Sequence, residues 1–411
     1  MTSMNEIEAR VPFFSIVIPT FNRSRLVTYA VDSILKQTFG DFEIVVCDNC
    51  STDDTGAVVG RIRDPRVRYV RTPAHWVIAD SWEFARSQAN GRFLVMLSDD
   101  DALVPGALAA FEREIKRHHA DFLFCGVAEY RDLSFPGPGR NTLTCPPFSG
   151  DSRVVPTEEF LQPLFAFKGR FNMHPSAFVF AREVAELVAV RCGRFFQTNG
   201  VEYCAWTLAA GVAKSIVYID MPLCICGRTG ASWGSNLALA NPGQERIEQF
   251  IADVDRRHKY APLTNFTMSN LWGEGVLTAK NLLPTEFAAY EFDEAQYLRA
   301  SMRELCGRRA LGVNVAREIT ELETYAAQWP SLAGELASLT ECRAASAGRV
   351  RSVLARLGGR ALRSRLAAFR NARKVRRGEV RSGFDVKGDD FGFRGIVGCA
   401  DFLAAVVARA R

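Results

Sequence analysis

Three consecutive carboxylates follow an apolar run in this chain. Asp99, Asp100 and Asp101 come directly after residues 93–98, FLVMLS, and shortly before Pro105. The run predicts a buried strand, and side chains at the carboxyl end of such a strand point into the crevice where open α/β sheets bind ligands. Carboxylate oxygens suit Mg²⁺ or Mn²⁺, ions that often share their coordination with substrate phosphates. A solvated turn and helix N-cap before Pro105 explain the same residues, so the triplet alone leaves both interpretations open.

Strand and helix patterns alternate around the triplet. Such alternation predicts an α/β fold with a mainly parallel sheet flanked by helices. Strands are expected at 15–18, 42–47, 67–70, 93–97 and 122–127, with helices at 26–38, 55–61, 81–89 and 106–118. The Pro- and Gly-rich stretch 131–147 predicts a loop, and two short strands are expected at 215–219 and 223–226.

A shift in composition divides the chain. Beyond about residue 236 the β-branched runs disappear and Ala, Leu, Glu and Arg dominate, which is typical of helices. We therefore expect an α/β domain at 1–235, a helical region at 236–342 and a basic helical segment at 343–411. Within the last segment, the apolar stretch 392–407 is expected to pack on the helical region.

The overall composition is that of an ordinary globular protein. Of 411 residues, 48% are hydrophobic and 24% are charged. No apolar stretch approaches the roughly 18 residues that span a bilayer, and the first ten residues are too polar for a secretory signal. The eleven scattered cysteines are then most simply free thiols in a reducing cytosol. These features predict a cytoplasmic protein.

The basic charge is concentrated in one segment of the chain. Residues 343–381 hold twelve Arg and Lys374 against Glu379 alone, a net charge of +12, although the whole chain carries only +5. Nucleic-acid binding lacks the expected fold signature and interleaved aromatic residues. Contact with an anionic membrane surface at the inner face and a plain solvated helix both stay open.

Several motifs occur in a fixed order over the first 110 residues. They are PTFNR at 19–23, SILKQTFGDFEI at 33–44, CDNCSTDDT at 47–55, NGRF at 90–93 and SDDD at 98–101. Together they resemble the motifs of family 2 glycosyltransferases, inverting enzymes with a GT-A fold that use nucleotide-sugar donors. The resemblance implies the α/β sheet predicted above, a donor site at its carboxyl edge, and bound Mn²⁺ or Mg²⁺.

The resemblance also implies roles for individual residues. Thr20, Asn22 and Asp48 match positions around the nucleotide sugar, where a carboxylate can accept the N3–H of a uracil-type base. A turn or helix cap is the alternative role for Asp48. Asp99 and Asp100 match acids that bind the metal and the ribose. Asp101 completes the D-x-D pattern as a third candidate ligand, or else caps the next helix.

The general base is expected further along the chain. Relatives commonly carry a Glu-Asp pair at a helix start; here Val201 replaces the first acid and Glu202 remains. Glu202 is therefore our candidate catalytic base, although an acid in the first turn of a helix is favoured by the helix dipole alone. His174 lies in the stretch that approaches the acceptor in relatives.

Two departures from the family pattern affect phosphate binding. Trp82 stands where many relatives have Arg, so we expect Arg71 or His75 to contact the diphosphate. Thr229 replaces a usual His, and Arg228 beside it could substitute electrostatically.

These residues predict transfer of a sugar from a nucleotide-sugar donor to a glycan or lipid-linked acceptor, as in cell-surface polysaccharide synthesis. One alternative is a degenerate carbohydrate- or membrane-binding protein without turnover, since the usual His and the Glu-Asp pair are lost. A nucleotidyltransferase would need a glycine-rich phosphate loop after the first strand, and PTFNR lacks the glycines.

Overall fold

A computed structural model describes residues 11–169, 171–198, 200–232, 259–265, 267–339 and 370–409. Its centre is a mixed sheet with a parallel half. The order in this half is β4-β1-β2-β3, and adjacent strands run parallel. Because apolar side chains cover both faces of β1, all seven of its residues are buried. The strands are β1 Phe14–Thr20, β2 Phe42–Asp48, β3 Val67–Arg71 and β4 Phe93–Met96.

The sheet continues beyond β4 with antiparallel pairings. The order there is β11-β7-β6-β9-β4, and β10 runs parallel to β6 while also pairing with β5 and β8. These strands are β5 Ala102–Leu103, β6 Phe122–Arg131, β7 Thr142–Cys145, β8 Ser152–Val155, β9 Phe178–Ala181, β10 Ile216–Arg228 and β11 Phe384–Lys387.

Helices connect and flank the strands. The apolar face of α1 is completely buried at Val27, Ala30 and Ile34, against the sheet core. These helices are α1 Ser24–Leu35, α2 Thr55–Val59, α3 Ile78–Ser87, α4 Ala107–His118, α5 Thr157–Phe165, α6 Arg182–Cys192 and α7 Val201–Val212.

The helical region has a core of its own. It contains α8 Met268–Leu282, α9 Glu294–Ala310, α10 Ala316–Ala326 and a helical stretch at 330–339. Buried Tyr297, Met302 and Leu322 belong to this core, and α8 packs against α7 of the sheet domain.

The C-terminal part returns to the sheet. Strand β11 pairs with β7, and the C-terminal helix, Ile396–Ala408, packs on α1 and β5. Leu403 and Cys399 are fully buried in this contact. The expectation that 392–407 packs on the helical region is therefore wrong.

The observed architecture confirms the predicted fold class, with several local corrections. The loop expected at 131–147 contains β7, and the two short strands expected at 215–226 form one strand, β10, interrupted by register shifts. Strand β11 was not expected in the basic segment. Residues 343–369, which carry most of the basic charge, lie outside the described residues.

In the described part of the chain, no helix combines the length and apolar character required to cross a bilayer. The ten cysteines in this part are free, and most are buried. The predicted division of the chain into three regions remains a prediction.

Candidate functional site

The carboxyl ends of the parallel strands bring together residues that are far apart in sequence. Thr20, the last residue of β1, pairs across the sheet with Asp48 of β2, which in turn pairs with Arg71 of β3. Leu97 extends the β4 pairing by donating its backbone N–H to Val17 at 2.9 Å. The acidic triplet that follows Leu97 therefore emerges beside Thr20.

Asp99 is locked by two neighbours from the start of the chain. Its Oδ2 accepts a hydrogen bond from the Thr20 hydroxyl at 2.7 Å, and its Oδ1 accepts from the Arg23 guanidinium at 2.7 Å. Arg23 also donates to the carbonyl of Ala231 at 2.5 Å. Burial and the charge of Asp100 raise the pKa of Asp99, an effect that Arg23 opposes. Both Asp99 oxygens are thus engaged within the protein.

Asp101 is the most enclosed of the three carboxylates, only 1% exposed. It accepts hydrogen bonds from the Ser176 hydroxyl and, at 2.9 Å, from the Gly227 backbone N–H. His174 Nδ1 lies 3.4 Å away, but burial, followed by the charge of Arg228, lowers the pKa of His174 to about 4. The imidazole is therefore neutral near pH 7.

Asp100 differs because it is half-buried and lines a cavity of about 160 Å³. Its Oδ2 accepts a hydrogen bond from Ser232 at 2.5 Å. Residues 394–397, from the C-terminal segment, line the same cavity. The segment that returns to the sheet thus contributes to the surroundings of the acidic triplet.

Gly227 allows the close approach of β10 to the triplet. A Cβ atom at this position would lie 1.7 Å from the backbone oxygen of Asp100, far inside contact distance. Only glycine leaves room for the two backbones, and the bond from Gly227 to Asp101 follows from that closeness.

Asp48 and Asn22 organise the loops of this edge. Asp48 is completely buried, accepting from Ser51 N–H at 2.8 Å and Tyr69 Oη at 2.5 Å, with Arg71 Nη1 at 3.7 Å. Asn22 has a positive φ of 52°, and its side-chain oxygen accepts from the N–H of Thr52 at 2.7 Å. The structure thus gives both residues bonds that hold the loop after β2.

An aromatic pair at this edge joins His75, a predicted phosphate contact, to Phe21, which the sequence analysis did not single out. The rings of Phe21 and His75 lie 4.2 Å apart, with Phe21 half-buried and His75 exposed. Phe21 lies between Thr20 and Asn22 in the PTFNR motif, and this position could have indicated a site residue from the sequence.

Glu202 lies in the first turn of α7 and is half-buried. Desolvation raises its pKa to about 7, opposed by a hydrogen bond to its own backbone N–H. Arg228 acts electrostatically on both His174 and Tyr203, the residue after Glu202. The start of α7 and the acidic triplet therefore share one electrostatic neighbourhood.

Among the other predicted phosphate contacts, Arg228 donates Nε to Glu129 at 3.1 Å. Arg71 is exposed and donates to the carbonyl of Ser51 at 2.9 Å. Trp82 packs edge-on against Phe196 at 5.4 Å, and Thr229 is buried. Of the predicted phosphate contacts, Arg71 and His75 thus have exposed side chains at the carboxyl edge of the sheet.

The donor set suits a hard divalent cation. Of the three carboxylates, Asp99 forms an ion pair with the Arg23 guanidinium, and the nearby Arg228 is paired with Glu129. The ligand atoms of the triplet are oxygens, and Asp100 lines the cavity. In addition, ligand atoms of Asp101, His174 and Cys226 lie within 4.8 Å of one another.

The fold and this crevice define an α/β domain with a cluster of acidic residues at the carboxyl edge of its sheet. Residues 15–188 match the family described as Glycosyl transferase family 2. Residues 15–188 therefore match the family that the ordered motifs indicated.

Curated relatives each match part of the chain. Over 135 residues the chain is 35% identical to the GalNAc(5)-diNAcBac-PP-undecaprenol beta-1,3-glucosyltransferase of Campylobacter jejuni, covering 31% of the chain and 44% of the relative. Over 115 residues it is 32% identical to the poly(ribitol-phosphate) beta-N-acetylglucosaminyltransferase TarS of Staphylococcus aureus, covering 27% of the chain and 20% of the relative. The matched region thus spans less than half the length of these curated relatives.

Among solved structures, residues 1–349 of S. aureus TarS with UDP-GlcNAc are similar with a TM-score of 0.46 and 17% identity. That comparison covers 77% of this chain and 91% of the TarS chain.

Proposed function

We propose that this protein transfers a sugar from a nucleotide-sugar donor to a glycan or lipid-linked acceptor, with inversion at the anomeric carbon. The observation that carries the proposal is the half-buried Asp100, which lines a cavity, while the carboxylates on either side of it in the sequence are held by hydrogen bonds within the protein. An acidic crevice with one accessible carboxylate suits a donor whose diphosphate arrives with a divalent cation.

Asp100 would hold Mn²⁺ or Mg²⁺, with Asp99 and Asp101 as the flanking carboxylates. The bound cation would neutralise the charge of the departing nucleoside diphosphate. Arg23 keeps Asp99 in place and limits the repulsion within the triplet. Arg71, exposed at the same edge, and Arg228 would add positive charge toward the phosphates.

The nucleoside would lie along the carboxyl ends of β1 to β3. The Phe21 and His75 rings offer a stacking surface there, and stacking on aromatic side chains accommodates any base. Thr20, Asn22 and Asp48 would shape this part of the site through the loop contacts described above.

Glu202 would accept the proton of the acceptor hydroxyl as that oxygen attacks the anomeric carbon. A carboxylate with a pKa of about 7 is partly ionised near neutral pH and matches the requirement for an effective general base. The displacement is a single step, and the chain needs no nucleophile that bonds to the sugar.

The acceptor class is proposed from the relatives. The Campylobacter enzyme's name specifies an undecaprenol-linked acceptor, and TarS is named for poly(ribitol-phosphate). A lipid-linked acceptor would place this protein at the inner face of the membrane, where the basic residues of 343–381 would meet anionic lipids.

Nucleotide binding and turnover test this proposal together. Thermal stabilisation by UDP, GDP, dTDP and CDP, with and without Mn²⁺, should identify one preferred base that needs the metal. The matching nucleotide sugar should then be hydrolysed or transferred, and Asp100→Asn should reduce turnover by about 10³-fold. The absence of both turnover and metal-dependent nucleotide binding would instead support the binding-protein alternative.

A further inference from the structure

A second cleft opens in the helical region, between α9 and the helical stretch 330–339. It has a volume of about 330 Å³ and is lined by Trp329, Glu294, Arg299 and Glu335, with Leu332 beneath. This volume lies within the range of small-molecule sites, about 300–1,000 Å³. The residues belong to neither the acidic crevice nor the matched family region.

Local contacts hold Trp329 at the cleft. The chain turns after α10, and Trp329 donates its backbone N–H to the carbonyl of Ala326 at 2.9 Å. The Tyr325 ring meets the indole edge-on at 5.7 Å, and the Tyr325 hydroxyl donates to Glu294 at 3.1 Å. The indole is therefore half-buried but positioned before any ligand arrives.

The polar groups of the cleft are also held in place by contacts within the protein. Arg299 donates Nε and Nη2 to the carboxylate of Glu335 at 2.8–3.1 Å. This pairing lowers the pKa of Glu335, so the group is ionised near neutral pH. With Glu294 included, the cleft carries two carboxylates and one guanidinium.

This combination selects the ligand by its chemistry. Net negative charge disfavours phosphate-bearing and other anionic ligands, while three charged side chains disfavour a purely aliphatic one. A sugar presents a face of C–H groups that packs on an aromatic ring. Its edges carry hydroxyl pairs that donate to carboxylates and accept from a guanidinium.

We propose that this cleft, which we call the Trp329 cleft, binds a hydroxyl-rich, uncharged glycan. This role goes beyond the proposed transfer reaction, because the cleft would retain a sugar chain at a place separate from the donor site. Binding there does not require turnover, so the two proposals fail independently.

Fluorine NMR of the full chain tests the proposal. Protein labelled with 5-fluorotryptophan gives a signal from each of its six tryptophans, and Trp329→Phe identifies the signal of Trp329. The probes are chitohexaose, maltohexaose and laminarihexaose. At least one should shift the Trp329 signal with a dissociation constant of about 1 mM or lower.

Variants separate the cleft from the crevice. Trp329→Ala should weaken that binding at least tenfold, and Asp100→Asn should leave it unchanged. Glu294→Gln serves as a second test because glutamine still accepts the Tyr325 hydroxyl, so the fold is retained even if Trp329→Ala fails to fold. We expect it to weaken binding at least threefold.

Three results would overturn the proposal. One is an unchanged Trp329 signal with all three hexasaccharides. Another is binding that survives both Glu294→Gln and a folded Trp329→Ala. The third is hexasaccharide binding that disappears in Asp100→Asn, which would assign the sugar to the acidic crevice.

Discussion

The acidic crevice and the Trp329 cleft both combine carboxylates with an arginine, but they differ in how the charges are surrounded. In the crevice, the Asp99 side chain is only 4% exposed and the Arg23 side chain 20%. In the cleft, the Glu335 side chain is 44% exposed and Arg299 24%. A change of charge is therefore costly in the acidic crevice, whereas the charges of the Trp329 cleft are well solvated.

This difference in solvation suits the crevice to a reaction and the cleft to ligand binding. Desolvated carboxylates repel one another and attract cations strongly, which is what stabilises charge developing in a reaction. Solvated carboxylates change little in energy when a neighbour changes, but they can still form hydrogen bonds with a ligand. We therefore expect substitutions in the crevice to have large effects on activity and stability, and those around the cleft to have small ones.

Gly227→Ala should have the largest effect. The added methyl group would overlap the backbone oxygen of Asp100, now 1.7 Å from the ideal Cβ position, so β10 and the acidic triplet must separate. We expect turnover and metal-dependent nucleotide binding both to be lost, measured by an activity assay and by calorimetry. Gly40→Ala is the control, because no atom lies within 4 Å of its Cβ position; equal losses in both variants would contradict this explanation.

Glu202→Gln should reduce turnover by about 10²- to 10⁴-fold, the usual contribution of a general base. Donor binding should be unchanged, because glutamine keeps the size of the side chain. In the wild type, turnover should rise with pH through about 7 as Glu202 loses its proton. Near-normal turnover by a folded Glu202→Gln protein would assign the base elsewhere.

Glu202→Gln should lower turnover but raise the stability of the fold at high pH. The folded state raises the pKa of Glu202 from 4.5 to about 7, so ionisation of this group destabilises the fold as pH rises between those values. Glutamine does not ionise, and the variant should be more stable than wild type above pH 7, by up to about 3 kcal/mol. Denaturant unfolding at pH 4.5 and pH 8 checks this, with the difference expected only at pH 8.

Arg23→Ala and Arg299→Ala compare the two ion pairs directly. Removal of Arg23 leaves Asp99 buried beside two other carboxylates, so we expect a loss of about 3 kcal/mol in the free energy of unfolding. Removal of Arg299 leaves Glu335 in solvent, and no measurable change in melting temperature is expected. Equal destabilisation by the two substitutions would show that the burial difference is not what matters.

The sequence predicted the parallel half of the sheet best. In β1 and β2 the apolar runs are dense enough to identify a strand without knowledge of its neighbours. Strands β7 and β11 were missed because each has only four residues with mixed burial, and each is stabilised by pairing with the other. Pairing between segments some 240 residues apart leaves no local signal.

For the site, motif order indicated Thr20, Asp48 and the triplet, but not the contacts among them. Arg23 was visible in PTFNR, yet its pairing with Asp99 depends on the position of β1 beside β4. Likewise, the place of 394–397 in the cavity depends on the return of the C-terminal helix to α1. Such contacts depend on tertiary packing, which local sequence patterns do not specify.

Gly334→Ala should have a small effect on stability, of opposite sign to that of Gly227→Ala. Gly334 is an exposed residue within the helical stretch 330–339, and no atom lies within 4 Å of its Cβ position. Since alanine favours a helix over glycine by about 1 kcal/mol, the variant should be more stable by about 0.5–1 kcal/mol in denaturant unfolding. Turnover and the Trp329 fluorine signal should not change. A destabilised variant would mean that a further group packs on this face, and the Trp329 cleft would then be less open than its lining residues indicate.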